Sequence, residues 1–167
     1  MPWRRALLIL AVAATALLGG RLAAGHDGEP ASSGRVVRVV DGDTIRVRLG
    51  GTEERVRYIG VDTPETVKPG TPVQCFGKAA SSFNARLVRA RTVRLEFDAE
   101  RRDRYGRLLA YVYREPDGLF VNAELVRRGY AQPLTIPPNV AHASDFRRLA
   151  RSARRGGRGL WAACGAS

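Results

Sequence analysis

The sequence predicts a small α+β domain built on five short strands, and three observations lead there. Runs rich in β-branched residues, or alternating apolar and polar side chains, recur through the first two thirds of the domain. The pairs Asp41-Gly42 and Gly50-Gly51 punctuate the first three runs, as hairpin turns require. One segment with helical spacing separates the third run from the fourth, and further helical segments follow the fifth.

The elements follow in order. Arg35 to Val40 and Ile45 to Leu49 read as the first two strands, joined through Asp41-Gly42-Asp43-Thr44. The third is expected near Glu54 to Val61, with a bend at Gly60. Phe76, Ala80, Phe83 and Leu87 then fall on one helical face. Val93, Leu95 and Phe97 alternate with Thr92, Arg94 and Glu96, which predicts a fourth strand over Arg91 to Phe97. Leu108 to Tyr113 is the fifth, after a turn at Tyr105-Gly106. A short helix is expected from Val121 to Arg128, ended by Gly129. A third runs from about Ala141 to Arg155, started after Pro137-Pro138 and stopped by Gly156-Gly157. Five strands and about three helices in this order suit an OB-type barrel, one option among several on periodicity alone.

Ahead of the domain, Arg4 and Arg5 precede a run from Ala6 to Leu18 that is apolar apart from Thr15, and the small residues Gly19, Gly20, Ala23 and Ala24 follow. That order is the signal-peptide pattern, and the run is short for a membrane span. Residues 1–24 are therefore expected to be a signal peptide, with an uncleaved anchor as the alternative. Residues 25–34 read as a linker and 35–164 as the domain; the signal peptide implies a secreted protein, or one anchored at the envelope if the segment is not cleaved. The formal net charge is +12, and Lys68 and Lys78 are the only lysines, so arginine supplies the rest of the cations. A basic domain suits a polyanionic partner. Cys75 and Cys164 make an even pair, which in an oxidising compartment implies a disulfide; two free buried thiols are the alternative. His26 and His142 show no metal-ligand spacing.

The chemistry concentrates in three segments. Asp41 and Gly42 are explained by their turn, whereas Asp43 stands where a strand resumes and a β-branched residue is favoured. In Asp62-Thr63-Pro64-Glu65, Pro64 lacks an amide proton and ends strand pairing. The start of the second strand and the end of the third lie side by side in an antiparallel pair, so Asp43, Asp62 and Glu65 can cluster. Grouped carboxylates favour a hard cation, Ca²⁺ or Mg²⁺. Arg57 on the third strand is suited to gripping a phosphate oxygen, and Asp103-Arg104-Tyr105-Gly106-Arg107 offers a second basic turn. Phosphodiester hydrolysis needs on the order of 20 kcal/mol of barrier lowering, of which a general base contributes roughly 3–5. One acid does not suffice; a cluster of acids and arginines does.

The motifs Val40-Asp41-Gly42-Asp43-Thr44, Val56-Arg57-Tyr58-Ile59-Gly60-Val61-Asp62-Thr63-Pro64-Glu65 and Asp103-Arg104-Tyr105-Gly106-Arg107 together resemble the staphylococcal nuclease-like (thermonuclease) family. Leu108 and Ala110-Tyr111-Val112, Val121-Asn122, Leu125-Val126, Gly129-Tyr130-Ala131 and Gly159-Leu160-Trp161 extend the resemblance from about Val36 to Trp161. It implies an OB-fold barrel and Ca²⁺-dependent hydrolysis of DNA and RNA with the 5′-oxygen leaving. Mg²⁺ ranks behind Ca²⁺. By position, Asp43, Asp62 and the backbone carbonyl of Thr63 would bind the metal. Glu65 would orient or deprotonate water, while Arg57 and Arg107 would hold the phosphate as catalytic residues. Arg104 and Tyr105 would touch a terminal phosphate. A monomer acting on DNA or RNA, single strands preferred, completes the expectation.

One departure is visible. The best-known member of the family has tyrosines just before the third helix, near the base, where this chain has Leu134-Thr135-Ile136-Pro137-Pro138. Stacking is worth about 1–3 kcal/mol per base, so base preference is expected to differ. The rival expectation is a non-catalytic OB module that only binds nucleic acid; here all five acids and arginines are present.

Overall fold

The computed structural model describes residues 32–66, 70 and 72–165. The signal peptide expected at 1–24, and the linker up to residue 31, lie outside the described residues.

Strand β1 spans Ser32–Val39, β2 Thr44–Leu49 and β3 Thr52–Tyr58, each antiparallel to the one before. Gly50 and Gly51 make the β2–β3 turn with φ of 53° and 92°, values that residues with a Cβ rarely adopt. Strand β4 (Val61–Asp62) is a separate short piece after the bend at Gly60. Helix α1 (Gly77–Val88) leads to β5 (Thr92–Glu96), and β6 (Leu108–Arg114) follows. The two-residue β7 (Leu119–Phe120) runs into helix α2 (Val121–Arg127). The chain ends with β8 (Gln132–Pro133), α3 (Ala143–Arg155) and the short α4 (Leu160–Ala163).

Five of these strands close a barrel. β1 pairs with β2 on one side and β5 on the other, β5 with β6, and β6 returns to β3 in parallel through Val56↔Leu108, Arg57↔Leu109 and Tyr58↔Ala110. Alternation along each strand fills the interior with Ile45, Val47, Val56, Val93, Leu95 and Val112, all fully buried. Closure leaves β1, β2 and β3 no open edge on the site side. The α+β class and the five-stranded OB-type barrel match the sequence expectation.

Three details correct it. β1 begins at Ser32, so Ser32, Ser33 and Gly34 are strand and not linker; they pair with Leu95, Arg94 and Val93 of β5. Composition reads Ser and Gly as loop, but pairing with a distant strand overrides it. The expected third strand splits at Gly60, and Val61–Asp62 pairs instead with Pro133 and Gln132 of β8. A fourth helix, α4, forms where Trp161 follows Gly159, too short for a periodic signal.

Buried polar side chains tie the helices to the strands that carry the site. The Tyr58 hydroxyl donates to Asn84 Oδ1 of α1 at 3.0 Å, and Asn84 Nδ2 donates to the Asp41 carbonyl at 3.0 Å. Asn122 of α2 accepts from the Val112 amide and donates to the Ile59 carbonyl. Each is a partner for a group that burial would otherwise leave unsatisfied. Gly60 has φ of 78°, and a Cβ there would lie 2.4 Å from Phe146 of α3. The bend that separates β3 from β4 thus also lets α3 approach. Cys75 and Cys164 form a disulfide across 89 residues, with Cα atoms 5.9 Å apart.

Candidate active site

The β1–β2 turn and β4 meet at one end of the barrel. Asp43 enters β2 from the turn, and its backbone carbonyl accepts from the Tyr58 amide of β3 at 2.9 Å. Its side chain is buried and hydrogen-bonded. Oδ2 accepts from the Thr63 amide at 2.8 Å and the Thr63 hydroxyl at 2.9 Å, while Oδ1 accepts from the Thr44 hydroxyl at 3.2 Å.

Arg57, near the end of β3, joins the acids. Nη1 lies 3.3 Å from Asp43 Oδ1 and donates to the carbonyls of Tyr58 (3.0 Å) and Val61 (2.8 Å). Nη2 donates to Asp62 Oδ1 at 2.9 Å. One rigid guanidinium fork therefore locks the bend after β3 and bridges two carboxylates. Its side chain is only 14% exposed, against 58% for Asp62.

Asp41 belongs to the same group. Its Oδ1 accepts from the Asp43 amide at 3.1 Å, the turn role that the sequence predicts. Burial, and after it the charge of Asp43, pushes its carboxyl up to about 6. Asp62 is raised as well, first by burial, against the lowering effect of Arg57 and with Asp43 and Glu65 adding to the rise. Three carboxylates thus crowd around one guanidinium.

Glu65 sits in the segment between β4 and α1. Its Oε1 accepts from the Thr66 amide, and its backbone is clamped by Gln74, which accepts from the Glu65 amide at 2.8 Å and donates to its carbonyl at 3.0 Å. Nothing local in the sequence links Gln74 to Glu65 nine residues away, so this clamp is visible only in the structure. Cys75, next to it, anchors this segment to the C-terminal region.

The second basic turn approaches from β6. Arg107 Nε donates to Asp103 Oδ2 at 2.7 Å, and the Arg107 amide donates to Oδ1 at 3.0 Å. Burial raises Asp103, but its hydrogen bonds and the charge of Arg107 outweigh that and hold the carboxyl below the ordinary range. The parallel β3–β6 pairing brings Arg107 to the cavity that Arg57 lines, together with Arg104 and Tyr105. That cavity measures about 500 Å³. Tyr105 is 69% exposed; Arg104 donates to its hydroxyl and stacks over its ring. Leu134 and Ile136 form an apolar wall of the same cavity.

Arg57 is therefore shared between an acidic cluster and a cavity edged by arginines, the pairing that a phosphate and a cation would require together. A family profile described as "Staphylococcal nuclease homologue" matches residues 55–163. The chain belongs to the staphylococcal nuclease family. Within that family it is 47% identical to a thermonuclease of Staphylococcus intermedius over 126 residues, 75% of this chain and 74% of the relative. It is 38% identical to a thermonuclease of Staphylococcus hyicus over 156 residues, 93% and 91% of the two chains. Endonuclease YncB of Bacillus subtilis is 43% identical over 130 residues, 77% of this chain and 61% of the relative. The staphylococcal nuclease fold, the family and the enzyme class, a nuclease with nucleic acid as substrate, agree with the sequence expectation.

Proposed function

We propose that this nuclease is exported and hydrolyses phosphodiester bonds of DNA and RNA, with Ca²⁺ as its cation and the 5′-oxygen leaving. The observation that carries the reading is the double role of Arg57, which bridges Asp43 and Asp62 while lining the cavity shared with Arg107.

The donor set fits a divalent cation. Asp41, Asp43 and Asp62 supply three negative charges against the single positive charge of Arg57, and 3 − 1 leaves a surplus of about two. Among the described residues no group of three acidic, cysteine or histidine side chains forms a finished cage. Backbone oxygen from Thr63 would have to join Asp43 and Asp62 as a ligand. When bound, the cation supplies charge neutralisation at the reacting phosphate and lowers the cost of forming the nucleophile. Ca²⁺ tolerates such mixed, irregular oxygen donors better than Mg²⁺, which demands near-octahedral geometry.

The chain's own residues supply the rest. Arg57 and Arg107 grip non-bridging oxygens of the phosphate and stabilise the charge that builds in the pentacoordinate transition state. Glu65, held by Gln74, orients water and accepts its proton. The new P–O bond forms as the bond to the 5′-oxygen breaks. Arg104 and Tyr105 receive a neighbouring terminal phosphate at the mouth of the cavity. Substitution of an arginine-gripped transition state typically costs 10²–10³-fold per donor, so the two arginines account for roughly 6 kcal/mol together.

Export is supported by the basic, apolar and small segments of residues 1–24 and by the Cys75–Cys164 disulfide, which persists in oxidising compartments. An uncleaved anchor at the envelope is the variant reading, and the N-terminal residue of protein recovered from medium separates the two. The deciding experiment follows cleavage of single-stranded DNA, duplex DNA and RNA in Ca²⁺, Mg²⁺ and chelator. Cleavage fastest on single strands in Ca²⁺, abolished by chelator, and depressed at least 100-fold in Arg107→Ala and Glu65→Gln is expected. Unaltered rates in those two variants would overturn the mechanism. Binding without cleavage under every condition would favour the non-catalytic module. A sedimentation measurement on the mature protein is expected to give a monomer.

A further inference from the structure

The outward faces of β1, β2 and β3 carry a feature that neither the barrel nor the reaction at Arg57 requires. The strand register sets Arg38 of β1 opposite Arg46 of β2, and Arg46 opposite Arg55 of β3. Three arginines thus stand in one row across three neighbouring strands, all exposed. In the next row Arg35 lies opposite Arg48, both also exposed, and Arg48 in turn lies opposite Glu53 of β3. Like charges directly opposite one another oppose sheet formation. One carboxylate answers them: Glu53 lies 2.9 Å from Arg46. Among the described residues no ion pair involves Arg38 or Arg55.

The row is continuous with the site. Arg57 lies two residues beyond Arg55 on β3, which puts both on the same face, about 7 Å apart along the strand. Neighbouring arginines in the row are about 5 Å apart from strand to strand. A polyanion with regularly repeating charges, whose reacting phosphate sits at Arg57, meets this row with the phosphates next along its chain. A single small anion uses one arginine and leaves the others repelling each other.

We propose that the Arg38–Arg46–Arg55 row is a second contact for the polynucleotide, which holds phosphates flanking the one that reacts and favours long strands over short ones. It rests on the nuclease reading above and adds the surface over which the substrate runs. Because the row is electrostatic, its contribution falls steeply with salt.

The test compares two variants of equal charge. One replaces Arg38, Arg46 and Arg55 with Gln; the other replaces Arg147, Arg151 and Arg155, exposed arginines of α3, which packs on α2 and β8. Binding of a long single strand is measured by fluorescence anisotropy in chelator, so that no cleavage intervenes. For the row variant, the slope of log affinity against log salt is expected to flatten by about 2, given roughly 0.7 per phosphate contact on single strands. Affinity at low salt falls at least tenfold, and the α3 variant loses less than half as much. In Ca²⁺, the ratio of kcat/KM for a long strand to that for a dinucleotide falls about tenfold in the row variant. Equal losses in both variants would reduce the effect to net charge and overturn the proposal. So would an intact slope, or a loss of binding to phosphatidylserine vesicles with DNA binding intact, which would assign the row to lipid. Removing opposed charges is expected to leave Tm equal or higher; a lower Tm would assign the row to the fold. Wild-type protein that binds but never cleaves would sink the nuclease reading and leave the row standing.

Discussion

Asp43 Oδ2 accepts two hydrogen bonds from Thr63, one from its amide and one from its hydroxyl, so the acid at the start of β2 holds the loop after β4 in place. A Cβ on Gly42 would lie 2.6 Å from the Thr63 hydroxyl oxygen. Gly42→Ala is therefore expected to push Thr63 off Asp43. The cost should be about 1–3 kcal/mol of stability, with weaker Ca²⁺ binding. Urea unfolding and calcium titration of the same variant check both; full stability with unchanged calcium affinity would refute the coupling.

The two site arginines should separate stability from catalysis. Arg57→Ala leaves the buried Asp43 without its ion pair and frees two carbonyls, for an expected loss of about 3–5 kcal/mol in the absence of calcium. Arg107→Ala removes a side chain whose one ion pair among the described residues is with Asp103, at the cavity edge. It is expected to cost less than about 1 kcal/mol while cutting kcat at least 100-fold. Thermal melts beside single-turnover rates would show whether the two effects divide this way.

Asp103 makes the arrangement pH-dependent. Its folded carboxyl lies below the ordinary value, so its contribution is fully present above the unfolded pKa near 4 and is lost as pH falls through the folded value. Acid strong enough to protonate Asp103 should therefore release Arg107 from its ion pair. Asp103→Asn is expected to lower kcat about tenfold at neutral pH and to flatten the acid limb of the stability profile. An acid limb identical to wild type would count against the assignment.

Gln74 and the disulfide form one device for holding Glu65. Reduction of Cys75–Cys164 opens a loop of 89 residues, and the chain-entropy account gives a loss of about 4–5 kcal/mol. Gln74→Ala leaves the disulfide intact and removes one of the two hydrogen bonds that clamp the Glu65 backbone. It should lower kcat several-fold with KM unchanged and little loss of stability. Equal kcat in Gln74→Ala and wild type would remove Gln74 from the positioning role.

Much of the fold was legible before any coordinates. Alternation at Thr92 to Phe97, the turn pairs at Asp41-Gly42 and Gly50-Gly51, and the helical spacing from Phe76 to Leu87 all depend on neighbours a few residues away. The same holds for the misfit of Asp43 in a β-branched run and the strand-ending Pro64. The bend at Gly60 was legible too, but the pairing of Val61–Asp62 with β8 and the strand at Ser32 were not, since both are decided by partners, β8 and β5, far away in the chain.

By itself, then, the sequence determined the residue types available for chemistry, their positions at strand ends and turns, and, through its motifs, the family. Only the tertiary structure decided which of them act together. Parallel closure of β3 on β6 brings Arg107 to Arg57, and the bend at Gly60 turns Asp62 back toward the same guanidinium. The arginine row likewise exists only because register sets Arg38, Arg46 and Arg55 abreast. The physical reason is common to all three. A one-residue slip in pairing turns every side chain to the opposite face, and register between strands distant in the chain is settled by packing the whole core at once.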